Sequence, residues 1–161
     1  MTIYIGIDPG TKCGWAALDD RGERISSGTW DLSLRRHEGG GMRFMRLYRD
    51  CGELLHCFDG KQVMVGYEEV RRHRGTDAAH IYGGIVAMVT KLCEEYPIPY
   101  VGIPVGTVKK HATGKGNADK IAMVEAAQGR WGDDGYTEDE ADALWIASAL
   151  RYGYGPAEEA E

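Results

Sequence analysis

Three apolar runs in the first third of the chain have the pattern of β-strands. Residues 2–8 alternate between buried-type and polar positions, and residues 13–18 and 24–30 form two further runs. The Asp-Asp-Arg-Gly segment at residues 19–22 has the composition of a hairpin turn. Three strands joined by short connections predict an antiparallel meander.

The pattern changes to a helical period after residue 41. Apolar residues repeat at intervals of three and four between residues 42 and 58, which is typical of an amphipathic helix. The same criteria predict, in order, a strand at 63–68, a long helix ended by Pro97, a strand at 100–103, and helices at about 118–129 and 138–152. Thr137 and Glu140 predict a capping box at the start of the last helix.

These elements, in the order βββαβαβαα, predict an α/β fold. Three antiparallel strands, followed by parallel strands added through helical crossovers, give a five-stranded mixed sheet with helices on both faces. We expect residues 1–152 to form one domain and residues 153–161 to be a flexible acidic tail. Strand ends in such a sheet are where ligand-binding groups gather, so the chemistry is expected there.

The composition is that of an ordinary globular chain. The 161 residues have a mass of 17.7 kDa, with 43% hydrophobic and 27% charged residues, enough for one domain with a sizeable core. No apolar run approaches the roughly 20 residues of a membrane span and no signal-peptide pattern is visible, which predicts a cytoplasmic location. The four cysteines lack zinc-site spacing, and Cys51 and Cys93 fall on apolar helix positions, which predicts reduced core residues.

The net charge of −6 hides an uneven distribution of charge along the chain. Residues 35–120 contain 14 Lys and Arg against 10 Asp and Glu, whereas the two flanking segments contain 5 against 15. Binding to a polyanion depends on local charge, so the acidic total does not exclude a nucleic-acid partner.

Four carboxylates occupy positions that suit a metal site. Asp8 ends the first strand before a Pro-Gly turn, Glu68 ends the fourth strand, and Asp139 and Asp142 lie three residues apart at the start of a helix. Residues at that spacing project from one side of a helix. A cluster of acids is costly unless a positive group neutralises it, and hard divalent cations prefer oxygen ligands.

Each acid also has a simpler interpretation. Asp8 suits turn chemistry, Glu68 suits a solvated strand end, and Asp139 suits the dipole of a first helical turn. Asp142 lies about 20° from Ala149 on a helical wheel, at the edge of the buried side, with no nearby basic residue to pair it. Strand parity favours Glu68, on the same face as Gly66, over Glu69, which is assigned to the following loop.

Two basic segments accompany the acids. Arg71, Arg72 and Arg74 follow Glu68 directly, and a Gly- and Lys-rich segment at residues 108–120 leads into a helix N-terminus. The second segment carries Lys109, Lys110, Lys115 and Lys120. Lysines and exposed backbone N–H groups suit phosphate, and the alternative for either segment is an ordinary solvated loop.

Four pieces of the chain together resemble the RuvC family of Holliday-junction resolvases, in matching order and at matching separations. They are Gly6-Ile7-Asp8-Pro9-Gly10-Thr11 with Gly14-Trp15-Ala16; Tyr67-Glu68-Glu69-Val70; Val108-Lys109-Lys110 with Gly114-Lys115-Gly116-Asn117-Ala118-Asp119-Lys120; and Asp139-Glu140-Ala141-Asp142-Ala143-Leu144. The resemblance covers most of the chain.

The resemblance implies an RNase H-like fold, a homodimer, and Mg²⁺-dependent paired nicking of four-way DNA junctions. It implies two Mg²⁺ ions per site, with Mn²⁺ able to substitute, and products with a 5′ phosphate and a 3′ hydroxyl. By motif position it implies that Asp8, Glu68, Asp139 and Asp142 are the metal ligands, and that Lys109, Lys115 and Lys120 contact phosphate.

One position departs from the family pattern. Cellular members carry an aromatic residue just after the Glu-x-Val piece, where this chain has Arg71. The arginine indicates either charge in place of stacking at the junction centre, or a phage or mobile-element variant that acts on a broader range of branched DNA.

Three other functions are also compatible with the sequence. The same acids could serve an RNase H-like enzyme acting on RNA or an RNA–DNA hybrid. The Asp8-Pro9-Gly10-Thr11 turn also resembles the phosphate loop of actin-like ATPases, although those need two such domains, which 161 residues cannot supply. A junction-binding protein without catalysis is the third, and its expected sign would be a missing acid.

Overall fold

A computed structural model describes residues 1–154 of the chain. Its framework is one mixed β-sheet between two layers of helices. The strands are β1 Thr2–Asp8, β2 Lys12–Leu18, β3 Arg24–Asp31, β4 Gln62–Glu69 and β5 Tyr100–Pro104. Their spatial order is β3-β2-β1-β4-β5. β1, β2 and β3 pair antiparallel, whereas β1–β4 and β4–β5 pair parallel, so the predicted five-stranded mixed sheet is confirmed.

Five helices cover the two faces of the sheet. They are α1 Gly41–His56, α2 Thr76–Glu95, α3 Val105–Thr113, α4 Lys120–Trp131 and α5 Glu138–Tyr152. α1 and α2 enclose one hydrophobic core with Ile3, Ile5 and Ile7 of β1. α3, α4 and α5 enclose the second core on the opposite face. None of the helices within residues 1–154 is long and apolar enough to span a membrane.

The sequence-based prediction missed α3. Residues 108–120 were expected to form a Gly- and Lys-rich loop, but Val105–Thr113 is helical, with Val108 buried in the second core. Gly114 ends this helix in the left-handed conformation, with φ of 83°, and its N–H donates to the Lys110 carbonyl oxygen. The helix is only nine residues long, too short for its apolar period to be recognised.

α5 is the central helix of the second layer. Eight of its fifteen residues are buried, and four of those eight are alanines. Small side chains allow the helix backbone to approach the strands closely. Thr137 caps the helix as predicted, since its hydroxyl oxygen accepts from the Glu140 N–H at 3.1 Å. Glu140 does not close the box, because its carboxylate instead accepts from the Ser27 hydroxyl at 3.1 Å.

Two glycines make the approach of α5 to the sheet possible. A Cβ atom on Gly6 of β1 would lie 2.2 Å from the backbone oxygen of Ala143, and one on Gly14 of β2 would lie 1.9 Å from the backbone oxygen of Asp139. Neither distance is possible for a real side chain, and the obstructing atoms are backbone atoms. The first turns of α5 therefore rest on β1 and β2 with no side chain in between.

The remaining predictions about the fold have different outcomes. Cys51 and Cys93 are free and buried, as expected, while Cys57 is free and exposed. Glu69, expected in a loop, is the last residue of β4 and pairs with Pro104 of β5. Of the predicted acidic tail, Gly153 caps α5 and Tyr154 stacks on Tyr152, and residues 155–161 lie outside the described part of the chain.

Candidate metal centre

Three of the four predicted acids converge at the edge of the sheet where β1 and β4 end. One carboxylate oxygen each from Asp8, Glu68 and Asp142 lies within 4.8 Å of the others, and all three side chains are partly buried. Asp8 and Glu68 share this edge because β1 and β4 are parallel neighbours, and both face the helix α5. Asp142 reaches them from the second turn of α5, because Gly6 and Gly14 allow that helix to touch the sheet.

Asp139 lies beside this cluster. It is one turn nearer the N-terminus of α5 than Asp142, and it is close enough to Asp8 that its charge raises the pKa of Asp8. Burial raises the pKa of Asp139, while Lys120 opposes that shift. The structure therefore brings the predicted quartet together, as a tight trio with Asp139 at its border.

The acids repel one another in the folded protein. Burial raises the pKa of Asp8 well above its usual range, and the negative charges of Glu68, Asp142 and Asp139 add to the shift. Burial followed by repulsion from Asp142 raises the pKa of Glu68 to about 7. Burial and Asp139 raise the pKa of Asp142 to about 6. Burial and mutual repulsion therefore both disfavour the ionised form of these carboxyl groups in the metal-free protein.

The chemistry of these side chains fits a hard divalent cation. The cluster offers carboxylate oxygens from three different elements, without a cysteine or histidine ligand, which is the donor set that Mg²⁺ and Mn²⁺ accept. A cation there would reverse the repulsion that raises the carboxyl pKa values, so that all of the acids would be ionised at neutral pH.

Two lysines lie close enough to act on the acids electrostatically. Lys109 of α3 lowers the pKa of Glu68 and of Asp142 against the stronger upward shifts, and Lys120 of α4 does the same for Asp8 and Asp142. The expectation that no basic residue lies near Asp142 is therefore wrong, because the unpredicted helix α3 carries Lys109 to the site. Lys120 also forms a 3.3 Å ion pair with Glu138.

The other predicted DNA-binding residues are exposed at the surface. Arg71, Arg72 and Arg74 are exposed on the loop that follows β4, and Lys110 and Lys115 are exposed at and after the end of α3. Arg71 forms a 3.6 Å ion pair with Glu69, which follows Glu68 in β4 and is not part of the acid cluster. We call residues 70–75 the arginine loop.

We expect the metal-free protein to lose stability as the pH rises from about 4 to about 7. The pKa of an unfolded carboxyl group is about 4. Between that value and the folded pKa of about 6 for Asp142 and about 7 for Glu68, the folded state holds protons that the unfolded state has released. The free energy of unfolding from this source therefore falls with rising pH and levels off above about pH 7.

The measurement is urea unfolding in EDTA between pH 4.5 and 8, on the wild type and on the Glu68→Gln variant. As the pH rises across this range, the free energy of unfolding of the wild type should fall relative to that of the Glu68→Gln variant. Glu69→Gln is the matched control, since Glu69 is the next residue and lies outside the cluster, and its curve should follow the wild type. Parallel curves for wild type and Glu68→Gln would contradict the raised pKa.

Two kinds of residue that support the site were not singled out from the sequence. Gly6 and Gly14 had a visible signal, because a glycine inside a strand often marks a close backbone approach. Tyr82 of α2, whose hydroxyl bonds to the backbone around Glu68, had none, since nothing in the local pattern distinguishes it from other half-buried tyrosines.

The strand order, the helical layers on both faces and the acids at the strand ends are the arrangement of an RNase H-like fold. A curated relative, the crossover junction endodeoxyribonuclease RuvC of Synechococcus sp. (strain WH7803), is 27% identical over 149 residues, which cover 89% of this chain and 94% of the relative. The predicted resemblance to the RuvC family is thereby confirmed over nearly the whole chain. No protein-family model matches the sequence.

Solved structures agree on the fold. The structure of RuvC from Thermus thermophilus superimposes with a TM-score of 0.79 at 23% identity, covering 95% of this chain and 98% of that one. The Thermus thermophilus RuvC structure in complex with a Holliday junction substrate also gives a TM-score of 0.79 at 23% identity, covering 96% of this chain and 98% of that one. The match extends end to end in both cases, so the RNase H-like fold is confirmed.

Proposed function

We propose that this chain is an endodeoxyribonuclease that resolves four-way and other branched DNA junctions by paired nicking, with divalent cations held by Asp8, Glu68, Asp139 and Asp142. The observation that carries the proposal is the convergence of three carboxylates within 4.8 Å at the strand-end edge, in a chain that is similar to a RuvC over 89% of its length. The nuclease domain is proposed to comprise residues 1–152.

Mg²⁺ is the proposed cation, with two ions per site and Mn²⁺ able to replace it. When bound, such ions neutralise charge that develops on the scissile phosphate and lower the pKa of the attacking water. The four acids fix the place where the cations bind, because strand ends and a helix that touches the sheet hold them without long, mobile connections.

The basic residues are proposed to hold the DNA backbone over the acids. Lys109 and Lys120 are near enough to the carboxylates to change their pKa values, so they also lie near any phosphate that reaches the cations. The arginine loop, together with Lys110 and Lys115, extends this positive surface outward. A homodimer with one site per subunit would suit a symmetric junction that is cut on two strands.

A cleavage panel tests the proposed function. The full chain is incubated with Mg²⁺ and an immobile four-way DNA junction, a three-way junction, an RNA–DNA hybrid or plain duplex DNA of matched length. We expect paired nicks in the four-way junction, with 5′-phosphate and 3′-hydroxyl ends, and little cleavage of the duplex. Equal cleavage of hybrid and junction, or none of the junction, would contradict the proposal.

Replacing Arg71, Arg72 and Arg74 together with alanine should weaken junction binding and flatten its salt dependence. Each lysine or arginine that contacts a phosphate contributes about one unit to the slope of log affinity against log salt concentration. Loss of three such contacts should therefore reduce the slope by up to about 3. The measurement is junction affinity without divalent cation at several salt concentrations, by fluorescence anisotropy.

A variant that removes the same charge elsewhere controls for net charge. Arg21, Lys61 and Arg151 lie at the opposite edge of the sheet, where the β2–β3 turn and the start of β4 are found. Their triple replacement with alanine should leave the salt slope within about 0.5 of the wild-type value. Equal slopes for the arginine-loop variant and the wild type would show that the loop does not contact DNA.

A further inference from the structure

The hydroxyl of Tyr82 on α2 bridges two backbone groups at the end of β4. It donates to the carbonyl oxygen of Glu68 at 2.9 Å, and it accepts from the N–H of Val70 at 3.0 Å. One side chain from a helix thus occupies the place of a strand partner for two residues of β4 and its continuation. One of these two residues carries a carboxylate of the acid cluster.

β4 needs such a partner because its neighbour β1 ends earlier. The paired register of β1 with β4 stops at Ile7 and Tyr67, whereas β5 continues to pair with Glu68 and Glu69. Glu68 is therefore held by β5 on one side, beyond the last β1 pair. Unpaired backbone groups at a strand end allow the peptide plane to rotate, and rotation there would move the Glu68 carboxylate.

The same hydroxyl also anchors the start of the arginine loop. Val70 is the first residue of that loop, and its carbonyl oxygen accepts from Nε2 of His73 at 3.2 Å. The His73 ring lies 4.7 Å from the Tyr82 ring, centroid to centroid. These two rings, together with Pro9, Gly10 and Thr11, line a cavity of about 270 Å³. Because side chains do not fill this space, the start of the arginine loop is held there by the hydrogen bonds of Tyr82 more than by packing.

α2 is a firm support for this contact. Ile85, Val89 and Leu92 of the same helix are fully buried in the first core. The ring of Phe44 on α1 fits into the space left by Gly84, where a Cβ atom would lie 2.5 Å from it. Packing therefore fixes the backbone of α2 at Gly84, two residues after Tyr82. The Tyr82 hydroxyl, held by this helix, in turn restrains the end of β4 through its two hydrogen bonds.

We propose that Tyr82 is a positioning residue that orients the metal ligand Glu68 and joins it mechanically to the arginine loop. This role rests on the proposed function, since it assigns to Tyr82 the support of that same site. Hydrogen-bonded supports of metal ligands typically change metal affinity or activity by about 10–100-fold when they are removed. Tyr82 acts through the backbone of its target, so the lower end of that range, about tenfold, is expected.

The test is Tyr82→Phe, which removes the hydroxyl and keeps the ring that packs on His73. Mn²⁺ binding is measured directly by electron paramagnetic resonance, and Mg²⁺-dependent junction cleavage is measured over a range of Mg²⁺ concentrations. We expect the dissociation constant for Mn²⁺ and the half-saturating Mg²⁺ concentration both to rise about tenfold. At saturating Mg²⁺, cleavage should recover to within about threefold of wild type, because the carboxylates themselves are intact.

Tyr48→Phe is the matched control. The Tyr48 hydroxyl donates to Glu95 at 2.8 Å and also joins two elements, but Glu95 lies at the far end of α2, thirteen residues or about 20 Å along the helix from Tyr82. Its loss should lower the melting temperature without changing Mn²⁺ binding.

An unchanged Mn²⁺ dissociation constant in Tyr82→Phe, or an equal shift in Tyr48→Phe, would overturn the positioning role. Failure of the wild type to cut any junction would instead overturn the proposed function, and Mn²⁺ binding would still test Tyr82.

Discussion

The Asp8→Asn variant should bind four-way junctions with wild-type affinity and fail to cut them. Asp8 belongs to the acid cluster, and the charges of all three other acids raise its pKa. Asparagine has the same shape and one oxygen, but it lacks the negative charge that attracts a divalent cation. Loss of a residue that supports a metal ligand typically lowers activity by about 10–100-fold. We expect a larger fall in the cleavage rate here, because the substitution removes a proposed metal ligand itself.

The same substitution should stabilise the metal-free protein. Asp8 is forced beside Glu68 and Asp142, and a neutral amide relieves that repulsion. A variant that loses activity while its melting temperature rises in EDTA has lost a functional group and kept its fold. Asp142→Asn is expected to behave in the same way on both measurements.

Single-turnover cleavage, junction binding in EDTA and thermal unfolding measure these three quantities. Glu140→Gln is the matched control. Glu140 lies between Asp139 and Asp142 on α5, but its carboxylate accepts a hydrogen bond from Ser27 and it is not part of the acid cluster. Its cleavage rate should stay within about threefold of wild type. Cleavage by Asp8→Asn at near the wild-type rate in Mg²⁺ would show that the acid cluster is not the catalytic centre.

Replacing Gly14 with alanine should be the most destabilising small change at the site. The new Cβ would lie 1.9 Å from the backbone oxygen of Asp139 and 2.4 Å from its carbonyl carbon, so either β2 or α5 must move. Forcing atoms into a packed core costs about 1–3 kcal/mol and sometimes more. Because backbone atoms obstruct this Cβ, we expect a loss of about 3 kcal/mol or more, with Asp139 displaced from Asp8.

Urea unfolding of Gly14→Ala measures this loss, with Gly129→Ala as the control. Gly129 is an exposed glycine in α4 with no atom near its would-be Cβ, so alanine there should stabilise the protein by about 0.5–1 kcal/mol. The same substitution should thus have opposite signs at the two positions. A Gly14→Ala protein that unfolds at the wild-type urea concentration would show that α5 does not rest on β2 as described.

The strands and the acids could be predicted because their signals are local. The meander is a matter of alternation and turn residues, and Asp8 and Glu68 are each the acidic end of an apolar run. Parallel pairing then brings the two ends to one edge without any knowledge of side-chain contacts. The grouping of Asp139 and Asp142 on one side of a helix follows from helical geometry alone.

The features that were missed depend on contacts between distant segments. α3 contains Gly106 and Thr107, which are weak helix formers, and it is stabilised by burying Val108 against α5 rather than by its own sequence. Lys109 was therefore placed on a loop, although α3 holds it near Glu68 and Asp142. Tyr82 meets Glu68 across fourteen residues of chain, and a hydroxyl-to-backbone bond of this kind leaves no periodic trace.

The contact of α5 with Gly6 and Gly14 has a consequence for how the protein responds to its surroundings. Because α5 lies directly on β1 and β2, folding brings the acids together, and their burial and mutual repulsion oppose ionisation of the carboxylates in the metal-free protein. A cation that binds there offsets this repulsion and acts as a ligand of the folded state alone. Thermal resistance should then vary with the ambient supply of divalent ions, so that chelation both silences the protein and shortens its lifetime.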